Sequence, residues 1–196
     1  MFVLQSGDLL FQERRATPIT RAISETFPGM NGYRLNHVAL CITPLEVIEA
    51  IEPSVQRISL EKFLKAAATD RSKKPRVLVT RLKKEFAPLI PSAIARSQQL
   101  LGLPYDRAFG NGPDAYYCSK LILDVFKHAN AGDFLFPETP MNFTDPSTGR
   151  TSDVWIRYYK ELGLPVPEGE PGSHPALLSR SEHLTVIHQF GEFESL

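Results

Sequence analysis

The sequence predicts an α+β fold, because apolar residues recur at the two-residue period of strands in some segments and at helical spacing in others. Proline and glycine clusters separate these segments and mark the turns and loops between them. The chain has 196 residues, of which 42% are hydrophobic, so it is long enough to bury one good core. We therefore expect a single domain over residues 1–196, with a core of about 7–130 and a C-terminal extension over 131–196.

Strands are predicted where short runs of apolar and strand-forming residues stand beside turn signals. The predicted strands cover residues 7–11, 35–42, 47–51, 76–82 and 184–190. The link of four residues at 43–46 (TPLE) is short enough to predict a β-hairpin between the second and third of these strands.

Helices are predicted where apolar residues fall three and four positions apart. The predicted helices cover residues 60–68, 91–101, 117–129 and 153–162. Ser59 is a suitable N-cap for the first of them, and Ser152 or Asp153 could cap the last. Residues 16–31 are mixed in character, with loops marked by the pairs Pro28-Gly29 and Asn31-Gly32, and residues 131–150 are loop-like.

The composition argues against several classes of function. Lys plus Arg equal Asp plus Glu at 22 each, so neither a nucleic-acid footprint nor a basic membrane-binding face is expected. No stretch approaches the roughly 18 continuous apolar residues of a transmembrane helix. The first residues lack the pattern of a signal peptide, so we expect a cytoplasmic protein, with the periplasm or delivery into another cell as alternatives.

The two cysteines, Cys41 and Cys118, are too few for a disulfide scaffold and lack the clustering of a structural zinc site, so no metal or organic cofactor is expected. Cys118 stands at the start of the helix predicted over 117–129, directly after a loop with glycine and proline. A helix N-terminus favours a thiolate, and its free N–H groups can hold an oxyanion. Cys118 is therefore a candidate nucleophile, the alternative being a buried cysteine that packs as a small hydrophobic residue.

His37 is the natural base for this nucleophile, because it lies within an otherwise apolar strand, where hydrophobic packing gives no reason for a histidine. The alternative is a core histidine that hydrogen-bonds the backbone. The other histidines lie in a helix body or toward the C-terminus, at His128, His174, His183 and His188. Cys41 shares a strand face with His37, but a separation of four residues places it about 13 Å away, so we predict a core position for it.

An imidazole base needs a third group that fixes its orientation, and the hairpin offers Glu49 and Glu52. One register places Glu49 opposite Ala39, on the same face as His37 and one diagonal step away. A shift of one residue would place Glu52 opposite His37 instead. The residues alone leave both registers open, although an exposed acid at a strand end is the simpler interpretation of Glu52.

Five blocks of sequence resemble the circularly permuted branch of the NlpC-type, papain-like cysteine peptidases, and in particular the bacterial YiiX-like group. In chain order the blocks are GDLLF, NHVALCI, VIEAIEP, GLPYD and YYCSKLI. The resemblance covers residues 7–126, about two thirds of the chain. The histidine precedes the cysteine here, which is the order in the permuted branch.

The resemblance implies a nucleophile helix packed on a small antiparallel sheet or barrel that bears the histidine. By the family's motifs, Cys118 matches the nucleophile, His37 the base and Glu49 the third catalytic residue. Asp8 matches a structural acid beside the histidine strand. The candidate substrate-binding residues are Tyr105, Asp106, Tyr117 and Lys120. Lys120 departs from the glutamate that is frequent at its position in this group, which would either lower the pKa of the Cys118 thiol further or alter the preferred charge of the substrate.

The implied function is that of a cysteine hydrolase, an amidase or peptidase, that forms an acyl-thioester intermediate. A lipid-directed thioesterase or acyltransferase with the same triad is the alternative, as are a catalytically silent binding module and an effector delivered to another cell. The partner is a small-molecule, peptide or acyl-lipid substrate. Five aromatic residues in the last third could line an acyl groove, but helical spacing favours the core for Phe134, Phe136, Trp155, Tyr158 and Tyr159.

Overall fold

The computed structural model describes residues 2–145 and 147–194. The helices are α1 (Pro18–Thr26), α2 (Leu60–Ala66), α3 (Ile90–Gln99), α4 (Cys118–Ala129), α5 (Asp153–Leu162) and α6 (Pro175–Ser179). The longer strands are β1 (Leu9–Gln12), β2 (His37–Thr43), β3 (Glu46–Ile51), β4 (Ser54–Ser59), β5 (Val77–Leu82) and β10 (Leu184–Gln189). Four two-residue strands complete the set: β6 (Thr139–Pro140), β7 (Thr144–Asp145), β8 (Arg150–Thr151) and β9 (Pro171–Gly172).

The main sheet has the strand order β10-β5-β1-β2-β3-β4, and every pair in it is antiparallel. This sheet with its packed helices confirms the predicted α+β class. Pairing between β1 and β2 aligns Gln12 with His37, and pairing between β3 and β4 aligns Glu49 with Gln56. Gln12 is therefore the neighbour of His37 in the sheet, and Gln56 is the neighbour of Glu49.

The predicted hairpin forms between β2 and β3, with an irregularity close to its turn. Thr43 pairs with Glu46, and the register shifts between Thr43 and Cys41. From there Leu40 pairs with Ile48, and continuing this register places Glu49 opposite Ala39. The face of His37 therefore receives Glu49, because successive residues of a strand point to opposite faces of the sheet.

Two hydrophobic cores lie on the two faces of the sheet. Alternate residues of β2, including Val38 and Leu40, pack with the apolar stripe of α4. The intervening residues, including Ala39 and Cys41, pack against Phe63 of α2. The α4 stripe consists of Leu121, Ile122, Val125 and Phe126, which are buried at helical spacing. This packing holds the N-terminal end of α4 against the sheet.

The helix α1, which lies in the mixed segment 16–31, was not predicted from the sequence. Thr17 caps this helix, accepting a hydrogen bond from the Thr20 N–H while the Thr20 side chain accepts from the Thr17 N–H. Pro18 occupies the first helical position, where its missing N–H costs nothing. This Thr-Pro start is the signal that could have identified α1.

The strand β4 and the short helix α6 were also not predicted. Both are short, at six and five residues, so neither produces a strong periodic signal in the sequence. The segment 131–150 contains two of the two-residue strands, β6 and β7, and the first residue of β8, in place of an uninterrupted loop. β10 pairs with β5, which extends the main sheet with a strand from the end of the chain.

The aromatic residues of the last third divide between core and surface. Trp155 and Tyr159 are buried in a cluster with Phe109, Tyr117 and Phe143. Phe136 is buried against Phe126, which agrees with the predicted core position, and Tyr158 is partly buried beside the Trp155 cluster. Phe134 departs from the prediction, since 43% of it is exposed and its ring meets the Lys127 ammonium. Among the described residues, no helix is long and apolar enough to cross a membrane.

Candidate active site

Cys118 is the first residue of α4 and is buried, with 7% of its surface exposed. Tyr117, the N-cap, makes no side-chain hydrogen bond to the first turn of the helix. The N–H groups of the first turn are therefore not capped by Tyr117, and the positive end of the helix dipole lies at Cys118. This placement is the one expected from the loop-to-helix boundary in the sequence.

His37, the first residue of β2, is buried between Glu49 and Cys118. Its Nε2 lies 2.6 Å from Glu49 Oε2, and Cys118 lies near enough to its ring to affect its pKa. Burial by itself lowers the pKa of His37, but the hydrogen bonds to Cys118 and Glu49 and the charges of these groups raise it from 6.5 to about 9. The imidazolium form of His37 is therefore stabilised by Cys118 and Glu49.

Glu49 accepts hydrogen bonds at both carboxylate oxygens. Oε2 faces His37, and Oε1 accepts from Gln56 Nε2 at 2.8 Å. The Arg14 guanidinium lies 3.9 Å from Oε2. Burial raises the pKa of Glu49, but the hydrogen bond and charge of His37, together with Gln56 and Arg14, hold it below its usual value. Glu49 is thus an ionised carboxylate in a buried position.

Glu52, the alternative partner in the hairpin, does not contact His37. Its side chain is 64% exposed, and its nearest charged partner is Arg107, at 3.9 Å. The register of β2 and β3 explains the difference, because it directs Glu49 toward His37. The two registers left open by the sequence are thereby reduced to one.

Cys41 lies in the core beneath the sheet, as predicted. Its Sγ donates to the Thr43 carbonyl at 3.0 Å, and burial, with a contribution from the charge of Asp8, raises the pKa of the thiol to about 12. A thiol with this pKa is protonated at neutral pH and is a poor nucleophile.

A cavity of about 250 Å³ opens beside His37 and Cys118. Its walls come from the segment after β1, from α1, from the loop before α4, from 141–143, from α5 and from the start of α6. Its apolar lining includes Ile19, Ile23, Phe109, Met141, Phe143 and Trp155. Its charged rim includes Arg14, Glu52 and Arg107.

Two of the four candidate substrate-binding residues line this cavity. Burial raises the pKa of the Tyr105 phenol well above 10, and the negative charge of Cys118 adds to the effect. The Tyr117 hydroxyl accepts from the N–H of Ser173 at 3.0 Å. Burial raises the pKa of Tyr117 to about 12, against the hydrogen bonds from Ser173. Both phenols are therefore neutral beside Cys118.

The other two candidates, Asp106 and Lys120, are not among the described residues that line the cavity. Asp106 accepts from the N–H groups of Ala108 and Gly110 at 2.9 and 2.8 Å, and so orders the loop before α4. Lys120 donates to the carbonyls of Gly112 and Ala115. Burial lowers the pKa of Lys120, partly offset by the charge of Asp106. Their contacts are those of residues that shape the loop.

Asp8 is fully buried and forms a two-pronged ion pair with Arg81, at 2.7 and 2.9 Å. Its carbonyl accepts from the N–H of Cys41, which lies four residues along β2 from His37. The contacts of Asp8 are therefore structural, as the resemblance implies, but they lie at the other end of the strand from His37.

Several residues of the site were not singled out from the sequence. Gln56 and Arg14 contact Glu49, and Ser173 and His174 form part of the cavity wall. A β3–β4 hairpin would have revealed Gln56, because it pairs directly with Glu49. The other three lie 35 or more residues from Glu49 and Cys118 along the chain, and no local pattern identifies them.

Comparisons with known proteins bear on this site and fold. The family model described as "Permuted papain-like amidase enzyme, YaeF/YiiX, C92 family" matches residues 3–188. The crystal structure of the metalloprotein YiiX from Escherichia coli O157:H7 is similar, with a TM-score of 0.76 and 20% sequence identity over 97% of this chain and 100% of that one. No curated protein matches the chain. In residues 2–145 and 147–194, no group of three or more His, Cys, Asp or Glu side chains is placed to hold a metal ion.

Proposed function

Because the chain belongs to the permuted papain-like amidase family, and so is a cysteine peptidase- or amidase-like hydrolase, we propose that it cleaves an amide bond through an acyl-thioester on Cys118. His37 is the general base in this proposal, and Glu49 orients it. We further propose that residues 1–196 fold as a single unit, because β10 completes the main sheet and α5 and α6 supply walls of the cavity.

The observation that carries the proposal is the position of His37 between a thiol and a carboxylate. Glu49 holds Nε2 at 2.6 Å, which leaves Nδ1 as the ring nitrogen for Cys118. A histidine that served only the core would have no need of a buried carboxylate and a cysteine on its two sides. The raised pKa of His37, about 9, supports a thiolate–imidazolium pair at neutral pH.

The reaction follows from these positions. The Cys118 thiolate attacks the amide carbonyl carbon, and a sulfur–carbon bond forms as the carbonyl electrons move to oxygen. The intermediate collapses, the carbon–nitrogen bond breaks, and the His37 imidazolium gives its proton to the leaving amine. Water then attacks the thioester, its proton passes to His37, and the carboxylic acid leaves as Cys118 is regenerated.

The oxyanion of each tetrahedral intermediate needs hydrogen-bond donors. The backbone N–H of Cys118 at the start of α4 is one donor in this proposal. The Tyr105 hydroxyl is the second, because it lines the same cavity and burial keeps its phenol protonated. Asp106 and Lys120 act indirectly in this scheme, by holding the loop that carries Tyr105.

Alkylation of the thiol tests the activated pair. The Cys41→Ala protein is treated with iodoacetamide at several pH values, with and without His37→Ala, and the labelled peptide is identified by mass spectrometry. We expect Cys118 to react at least roughly tenfold faster at pH 7 when His37 is present, because only a thiolate is reactive. His128→Ala, which changes an exposed histidine near the other end of α4, is the matched control and leaves the rate unchanged.

A Cys118 that reacts at the same rate without His37 would contradict the proposal, provided that both proteins are folded by circular dichroism. Slow reaction in both proteins would leave a papain-like fold that serves for binding.

A further inference from the structure

The cavity beside Cys118 is apolar on the side that approaches the nucleophile. Tyr117, which immediately precedes Cys118, belongs to the same cluster as Phe109, Phe143 and Trp155. Ile19 and Ile23 of α1 pack against this cluster and also line the cavity. An acyl group bonded to the Cys118 sulfur therefore lies beside a wall of aliphatic and aromatic side chains.

One charged residue of the cavity, Arg14, lies on the side of His37. The Arg14 guanidinium is 3.9 Å from Glu49 Oε2, and the same oxygen is 2.6 Å from the His37 ring. His37 delivers the proton to the leaving amine, so the amine half of the substrate lies on this side. Arg14 is thereby placed beside the amine half.

Arg14 has hydrogen-bonding capacity that its protein contacts leave unused. The guanidinium carries five N–H donors. Its recorded side-chain contacts are long, 3.4 Å to Gln12 Oε1 and 3.9 Å to Glu49 Oε2, and 24% of the side chain is exposed. Arg107, also on the rim, is 51% exposed and lies 3.9 Å from Glu52. The rim therefore carries two arginines and one glutamate, Glu52, and their summed charge is positive. A positive rim favours an anionic ligand.

We propose that the substrate is an N-acyl amide with an apolar acyl chain and an anionic group, carboxylate or phosphate, on its amine half. The acyl chain lies between α1 and α5, and Arg14 binds the anionic group. This inference rests on the proposed function. The acyl carbon transfers from nitrogen to the Cys118 sulfur, His37 protonates the released anionic amine, and water then releases the free fatty acid.

The acyl half is tested with p-nitrophenyl esters of acetate, butyrate and octanoate, because their leaving group is constant. Formation of the Cys118 thioester is followed by p-nitrophenolate release and by the mass of the protein. We expect acylation by octanoate to be at least about tenfold faster than by acetate, since its additional methylenes become buried. Ile23→Trp, which narrows the cavity, is expected to remove this preference while acetate still reacts.

The matched control for the narrowed cavity is Ile156→Trp. Ile156 lies on α5, is 47% exposed and is not part of the described cavity lining, so its replacement leaves the chain-length preference intact. Equal rates for acetate and octanoate in the wild-type protein would overturn the apolar half of the inference.

The anionic half is tested by hydrolysis of N-decanoylglycine, N-decanoyl-O-phosphoethanolamine and the neutral N-decanoylglycinamide. We expect at least one charged amide to have a kcat/KM roughly tenfold or more above the neutral one, mainly through a lower KM. Arg14→Gln removes the difference, and Arg14→Lys restores part of it. Arg15→Gln, which changes the exposed neighbouring arginine, leaves the difference unchanged.

The outcomes separate this inference from the proposed function. Hydrolysis of short polar peptides, with no reaction on the acyl amides, would overturn the substrate class and keep the Cys118 mechanism. Equal turnover of charged and neutral amides, unaffected by Arg14→Gln, would overturn the role of Arg14. Absence of any Cys118 acylation by the esters would overturn the proposed function itself.

Discussion

Glu49 sets the charge of His37, and His37 in turn sets the range of pH over which the proposed reaction proceeds. The carboxylate is buried, yet both of its oxygens accept hydrogen bonds, from His37 and from Gln56. A carboxylate satisfied in this way stays ionised, and its charge stabilises the imidazolium. The pKa of His37 is therefore raised to about 9 by partners that compensate for its burial.

A pH profile of the amidase reaction is expected to report this pKa. His37 must carry its proton to release the amine, so kcat/KM falls as the pH rises through about 9. Glu49→Gln removes the negative charge and is expected to move this alkaline limb down by about one pH unit or more. Glu46→Gln changes a partly buried glutamate on the same strand that pairs with Arg57 rather than His37, so it is the control and leaves the limb in place. An alkaline limb that Glu49→Gln does not move would contradict the role assigned to Glu49.

At the scale of elements, the N-terminal end of α4 is tied to the segment that leads into α6. Ser173 donates to the Tyr117 hydroxyl through its backbone N–H and through its side chain, and its Oγ also lies 3.0 Å from Ser119 Oγ. This buried network joins residues more than fifty positions apart in the chain. It therefore fixes the wall of the cavity relative to the helix that carries Cys118.

Removal of the Tyr117 hydroxyl is expected to disturb both stability and the site. Tyr117→Phe leaves the buried Ser173 N–H without an acceptor, which costs about 1–3 kcal/mol of unfolding free energy. Urea denaturation measures this loss, and KM for the amide substrate rises because the wall is less well fixed. Ser59→Ala is the comparison, since it loses the cap of α2, at about 1 kcal/mol, and lies outside the described cavity lining. Equal KM values in the two variants would argue against a positioning role for Tyr117.

At the scale of the whole molecule, His174 links α1, near the N-terminus of the chain, to the start of α6, near its C-terminus. Its Nδ1 accepts from the Ala176 N–H and caps α6, and its Nε2 donates to the Ile23 carbonyl in α1. His174 is buried, and burial lowers its pKa to about 4, only partly offset by the bond to Ile23. The neutral imidazole is therefore the form that the fold requires.

The stability of the protein is expected to depend on His174 in weak acid. The unfolded chain binds a proton at this position below pH 6.5, whereas the folded chain binds it only near pH 4, so stability falls as the pH drops between these values. Between pH 7 and 5 this loss is about 2 kcal/mol. His37 acts in the opposite direction, because its folded pKa is raised, and its contribution is lost as the pH rises toward 9.

Comparison with His174→Asn isolates this contribution, because His37 is the same in both proteins. Asparagine can also accept from the N–H at the start of α6, so the variant is expected to fold. Urea denaturation at pH 7 and pH 5 should show a smaller loss in His174→Asn than in the wild type. His128→Asn, an exposed histidine, retains the wild-type loss. A wild-type loss that persists in His174→Asn would contradict this account.

Local patterns in the sequence were enough to predict the α+β class, the β2–β3 hairpin, α4 and the order of the histidine before the cysteine. Such features depend on the side chains of neighbouring residues, whose spacing shows in the sequence. The family and fold predicted from the five blocks were confirmed by the match over residues 3–188 and by the similar crystal structure.

Only the tertiary structure decided which groups meet in the site. The hairpin register places Glu49, and not Glu52, beside His37. Gln56 and Arg14 contact the Glu49 carboxylate. Asp106 and Lys120 make their hydrogen bonds with the loop before α4. Contacts of this kind join segments that are distant along the chain, and they depend on the packing of whole elements. The sequence thus determined which residue types could do the chemistry, and packing decided which of them face the cavity.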